Sequence, residues 1–149
     1  WFGHQDSQHS VATDAWTTVI NLGNSVVNTG NNSGWNESTG IFTVQSGQAG
    51  YYYCFGSAGI DDVQDSDIVR VALSKNDAAP AFFVEQRCID QGANIIVGGM
   101  VFAQVIQLAV GDTVKLQVFH NEGTTENTEP NRCWFGGYRL GIWLNNWHF

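Results

Sequence analysis

Charge is scarce in this chain. Only 13% of its 149 residues are charged, and the signs are unequal, with 6 Lys and Arg against 14 Asp and Glu for a formal charge of -8. Such a chain repels phosphates and anionic bilayers, which excludes nucleic acid as a partner and argues against membrane association. There is no apolar run of about 18 residues, so no helix inserts in a membrane, and no signal-peptide pattern stands at the start. The chain opens on Trp1 rather than Met, as expected of a processed product or a piece of a longer polypeptide. Cysteine is sparse too. Cys54, Cys88 and Cys133 are odd in number and lack CxxC spacing, which excludes a zinc ribbon or a disulfide framework. A Cys88–Cys133 bridge stays open, and Cys54 reads as a small buried hydrophobe.

Helix-period runs are absent as well. What is present is a succession of short β-branched and aromatic runs broken by Gly, Asn, Asp and Ser, the pattern of an all-β sandwich or barrel. With solubility resting on neutral Gly, Asn, Ser, Thr and Gln, the composition suits an extracellular or virion surface. The reading in order is an approach segment over 1–13, one β domain over 14–144 and a tail over 145–149. Strands are expected at Ala15 to Leu22, Ile41 to Val44, Gly50 to Phe55 and beyond, Ile68 to Leu73, Ala81 to Arg87, Met100 to Leu108, Thr113 to Val118 and Trp134 to Trp143. Asn24 to Asn36 reads as a surface excursion. Val114, Leu116 and Val118 should point inward, and Met100 to Leu108 should be covered on both faces.

The Tyr51 strand organises the rest. Alternation puts Tyr52, Cys54 and Ala58 on one face and Tyr51, Tyr53 and Phe55 on the other. A sandwich strand has one core face, so rings on the second face call for another partner, and a second copy of the chain supplies one. The last strand repeats the pattern, with Trp134, Tyr138, Leu140 and Ile142 on one side and Phe135 and Trp143 on the other. These two strands are expected side by side in the sheet that faces a subunit interface, with Tyr51, Tyr53, Phe55, Phe135, Tyr138 and Leu140 as the candidate interface residues.

Several motifs in fixed order carry a family resemblance. They are Phe42-Thr43, Ala49-Gly50-Tyr51-Tyr52-Tyr53, Val71-Ala72-Leu73-Ser74-Lys75-Asn76, Gly98-Gly99, Leu108-Ala109-Val110-Gly111-Asp112-Thr113-Val114-Lys115-Leu116 and Phe135-Gly136-Gly137-Tyr138-Arg139-Leu140. In this order the chain resembles the C1q-like head domains of the tumour-necrosis-factor-like jelly rolls, from about Ile41 to Leu140. The resemblance implies a ten-strand jelly roll that trimerises about a three-fold axis. Cys54 replaces the family's usual aromatic and Arg139 its usual apolar residue. Such an Arg needs a carboxylate or carbonyl partner. No Gly-X-Y stalk precedes the domain in this sequence.

Asp61, Asp62, Asp65 and Asp67 crowd one loop. Carboxylates that close repel unless a cation joins them, and hard oxygen donors suit calcium, which related heads bind through acidic residues of this loop. The loop reads either as a calcium site or as a solvated acidic loop with no ion, and no other cofactor is expected. His4, His9, His120 and His148 have no metal-ligand spacing, no GxSxG elbow is present, and no carboxylate pair is placed for glycosidase work, so the chain reads as a non-enzyme. Asn31-Asn32-Ser33 and Asn36-Glu37-Ser38 match the glycosylation sequon. Asn32, Trp35, Asn36, Glu122, Glu126 and Asn127 are the candidate ligand-binding loop residues, Trp35 for its ability to stack on sugars.

The function expected is a homotrimeric attachment head at the end of a viral fibre, a bacteriophage tail or capsid fibre, which contacts a host-surface glycan or protein. A secreted domain binding a protein ligand is one alternative, and a structural trimerisation or capsid-decoration module is another. All place the chain on the virion surface or outside the cell.

Overall fold

The computed structural model describes residues 1–27, 34–64, 66–88 and 100–141. Within them lie thirteen strands and one 3-10 turn, Pro130–Arg132, with no α-helix. The strands are β1 (Phe2–His4), β2 (Ser10–Val11), β3 (Thr17–Thr18), β4 (Asn24–Val27), β5 (Trp35–Asn36), β6 (Ile41–Thr43) and β7 (Gly50–Ala58). They continue with β8 (Ile68–Lys75), β9 (Phe83–Arg87), β10 (Met100–Leu108), β11 (Thr113–His120), β12 (Glu126–Asn127) and β13 (Trp134–Arg139).

Two sheets form a jelly-roll sandwich. One runs β10-β7-β13-β1-β4 and the other β5-β6-β11-β8-β9, with β3 beside β11 and a small β12-β2 ladder apart. Side-chain alternation decides which faces meet. In β8, Val69, Val71 and Leu73 point inward; in β11, Val114, Leu116, Val118 and His120 do so. Opposite them Tyr52 and Cys54 of β7 and Phe135 of β13 fill the core. Cys54 and Cys133 are buried free thiols, and Cys133 Sγ accepts from the Gly59 N–H at 3.5 Å. The Cys88–Cys133 bridge is therefore not formed.

The sequence misplaces the beginning of the chain. Residues 1–13 are not an approach segment, because β1 lies between β13 and β4 in the first sheet, with Gly3 opposite Phe135. Trp1 stacks on Phe42 with ring centroids 3.8 Å apart. This is possible because Gly137 has no side chain: a Cβ there would sit 2.6 Å from the Trp1 ring. Of the strand expected over Ala15 to Leu22 only β3 forms, and the excursion expected from Asn24 begins instead as β4. Gly40, at φ +66, turns the chain where a Cβ would meet the Val19 carbonyl oxygen.

Candidate functional site

The outer face of the first sheet carries a band of rings. Phe55 of β7 lies 6.3 Å from Phe2 of β1 and 6.0 Å from Trp134 of β13, and Phe2 and Trp134 are 5.9 Å apart. Tyr53 extends the band, 5.7 Å from Phe55 and 5.5 Å from Tyr138. Register explains the grouping, since Tyr53 pairs with Tyr138 and Phe55 with Gly136 across the β7–β13 ladder. Glycine opposite Phe55 leaves its ring room to reach Phe2 and Trp134. The band is open to water at its end, where Tyr51 and Tyr138 are 52% and 55% exposed. At its β10 border Val101 and Val105 are exposed as well. The two-sided covering expected of β10 is therefore absent within one chain.

Of the six expected interface residues, Tyr51, Tyr53, Phe55 and Tyr138 stand on this face. Leu140 is half-buried just beyond β13 and donates its N–H to the Tyr51 carbonyl. Phe135 does not belong with them: it is 0% exposed, in the core. Its parity is opposite to that of Tyr138, so strand alternation assigns it inward. Phe2 and Trp134 were the omissions. Trp134 shares Tyr138's parity, whereas Phe2 lies in a strand of three residues, too short to show a period. Arg139 has the carbonyl partners expected of it, donating to Ala49 O at 2.7 Å and Gly47 O at 3.5 Å.

The expected loop residues do not assemble. Asn32 and Asp65 lie outside the described residues. Trp35 is no loop contact but a core side chain, 7% exposed, 6.4 Å from Trp1 and 5.9 Å from Phe135. Asn36, next along the strand, points outward and binds its own turn, its Oδ1 accepting from Ser38 Oγ at 2.9 Å and Thr39 N at 3.1 Å. Glu126 and Asn127 pair with Val11 and Ser10 as β12, and Glu122 accepts from the Gln64 N–H at 2.8 Å. Among the described residues no hydrogen bond or ion pair joins Asn36 to the Glu122–Asn127 stretch.

The acidic loop divides in two. Asp61 faces Glu129; burial first, then the charges of Glu129 and Asp62, push its pKa up, with Arg132 opposing. Asp67 faces Glu122, whose pKa is also raised, first by burial and then by Asp67 and Glu126. Among the described residues no group of three or more His, Cys, Asp or Glu is arranged to hold a metal. Asp61, Asp62 and Asp67 thus do not fit a shared calcium site within one chain. No described helix is long and apolar enough to cross a membrane.

The C1q domain profile matches residues 4–140. The chain belongs to the C1q domain family. Solved structures agree on the fold of this C1q domain. The globular domain of the zebrafish complement 1qA protein is similar at a TM-score of 0.60 and 14% identity, covering 94% of this chain and 95% of that one. The Eiger TNF of S. frugiperda is similar at 0.65 and 15% identity, covering 94% and 90%. No curated protein sequence matches.

Proposed function

We propose that this C1q domain is a homotrimeric, non-enzymatic recognition head held outside the cell or on a virion. The carrying observation is the ring band of Phe2, Tyr53, Phe55, Trp134 and Tyr138 on the outer face of the first sheet. Rings in mutual contact yet partly open to water are an interaction surface in a soluble protein. A second copy suits this surface better than a charged partner, because no Lys, Arg, Asp or Glu belongs to the band and like surfaces of one chain meet without charge repulsion. Trimers are typical of C1q and tumour-necrosis-factor domains, and the exposed β10 border supplies a second apolar surface for a rotationally repeated contact.

The head would contact a host-surface glycan or protein from the tip of a viral fibre. The test is a charge placed in the band. Tyr138→Glu and Trp134→Glu should give folded single chains that no longer adsorb to the host, whereas Glu37→Gln, away from the band, should change neither property. Adsorption that survives the loss of assembly would remove the trimeric head.

A further inference from the structure

The opposite sheet has an organised surface of its own, built around Arg70. In the β11-β8-β9 register Arg70 stands directly between Phe119 and Glu85. Its inward neighbours Val69 and Val71 are in the core, so its own side chain faces out. The guanidinium carbon lies 4.8 Å from the Phe83 ring centroid and 5.1 Å from that of Phe119. Its Nε donates to Glu85 at 2.7 Å. The two Nη groups have no hydrogen-bond partner among the described residues. Trp16, just ahead of β3, completes the cluster with its ring centroid 6.1 Å from Phe83 and 5.6 Å from Phe119. Phe83 is 44% exposed, Glu85 is exposed, and Trp16, Arg70 and Phe119 are half-buried.

Three properties narrow what such a patch receives. Its aromatic surface is interrupted by an ion pair, so a continuous apolar strand or helix would bury that pair at a net loss. Arg70 is neutralised by Glu85, and the chain as a whole is at -8, so an anionic polymer gains nothing here and is repelled at longer range. Its groups are already held, since cation–π contacts on two rings and the salt bridge fix Arg70 before any ligand arrives, which lowers the ordering cost of binding. A ligand with an apolar face and a rim of uncharged hydroxyls meets all three conditions.

We propose that Trp16, Arg70, Phe83 and Glu85 bind a neutral pyranose sugar. The C–H face of the sugar rests on the exposed rings. Its hydroxyls accept from the Arg70 Nη groups and donate to the Glu85 carboxylate, as charge-assisted hydrogen bonds. The inference rests on the recognition-head reading and deepens it by naming a ligand class. The patch and the ring band lie on different sheets.

Saturation-transfer NMR on the intact chain tests this with lactose, maltose, cellobiose and N,N′-diacetylchitobiose, and with sialyllactose as the anionic control. At least one neutral disaccharide should receive saturation, and sialyllactose should receive less than lactose. Trp16→Ala should cut the transfer at least tenfold, and the conservative Glu85→Gln should weaken it several-fold with unchanged circular dichroism and particle mass. No transfer to any neutral sugar overturns the proposal, as does preference for the sialylated one. Transfer that survives both substitutions also overturns it while leaving the recognition head standing. A single-chain mass sinks the head and leaves the sugar result to be judged by the same two variants.

Discussion

Trp1 lies flat on Phe42, with centroids 3.8 Å apart and planes within 4°. The contact joins the residue before β1, in one sheet, to β6 in the other. The start of the chain is therefore part of the core. Trp1→Ala should destabilise the domain by about 3 kcal/mol, the low end for a large aromatic because Trp1 keeps some exposure. Urea unfolding measures the loss, and a change within about 0.5 kcal/mol, the range of ordinary surface substitutions, would show that the stack contributes little.

Phe135 and Tyr138 are three residues apart on one strand and should behave oppositely. Phe135→Ala opens a cavity in a fully buried site and should cost about 3–5 kcal/mol. Tyr138→Ala should leave unfolding of the isolated chain nearly unchanged and weaken assembly. Urea unfolding paired with sedimentation separates the two effects.

Burial lowers the pKa of His9, with the Thr18 backbone opposing. Gln5 Nε2 lies 2.9 Å from its Nδ1, and an N–H donor there suits the unprotonated ring nitrogen. The folded state binds fewer protons than the unfolded state between the lowered value and 6.5. Stability from this group is therefore complete above that window and is lost as pH falls through it. A melting-temperature profile should decline on the acid side near neutrality, and His9→Gln should flatten that decline.

Asp61 has the opposite sign. Its raised pKa makes the folded state bind the proton more readily than the unfolded state above 3.8, so the charged carboxylate opposes folding at neutral pH and ceases to do so on acidification. Asp61→Asn should raise the melting temperature at pH 7 and have a smaller effect at pH 4. An equal effect at both pH values would show that charge is not the cause.

Burial pushes the Cys54 and Cys133 thiols up to about 12. A thiol so far from its thiolate is a poor nucleophile. Neither should react with a disulfide reagent at pH 8 in the folded protein, and both should react in denaturant. Fast native labelling of either would contradict its burial.

The sandwich was legible because its long strands alternate clearly. Val114, Leu116 and Val118 announce the core face of β11, and the Tyr51–Phe55 run announces a strand with two demanding faces. Short strands were not legible, since β1 and β4 have few residues on which a period can show, and only pairing reveals them, β1 with β13 and β4 with β1. Trp35 misled for a related reason. Its Asn- and Gly-rich neighbourhood suggests a loop, yet a two-residue strand is enough to turn one ring into the core and leave Asn36 in water. The neighbours of the carboxylates were not legible from nearness in sequence: folding sets Asp61 against Glu129 and Asp67 against Glu122. Trp16, Arg70 and Phe83 meet only through the pairing of β3 with β11 and the β11-β8-β9 register, which no local pattern records.

Sedimentation equilibrium of the unmodified chain at micromolar concentration tests the central claim most directly. The account predicts three times the chain mass, and a fall to one chain for Tyr53→Ala. A stable particle of single-chain mass for the unmodified protein would contradict it.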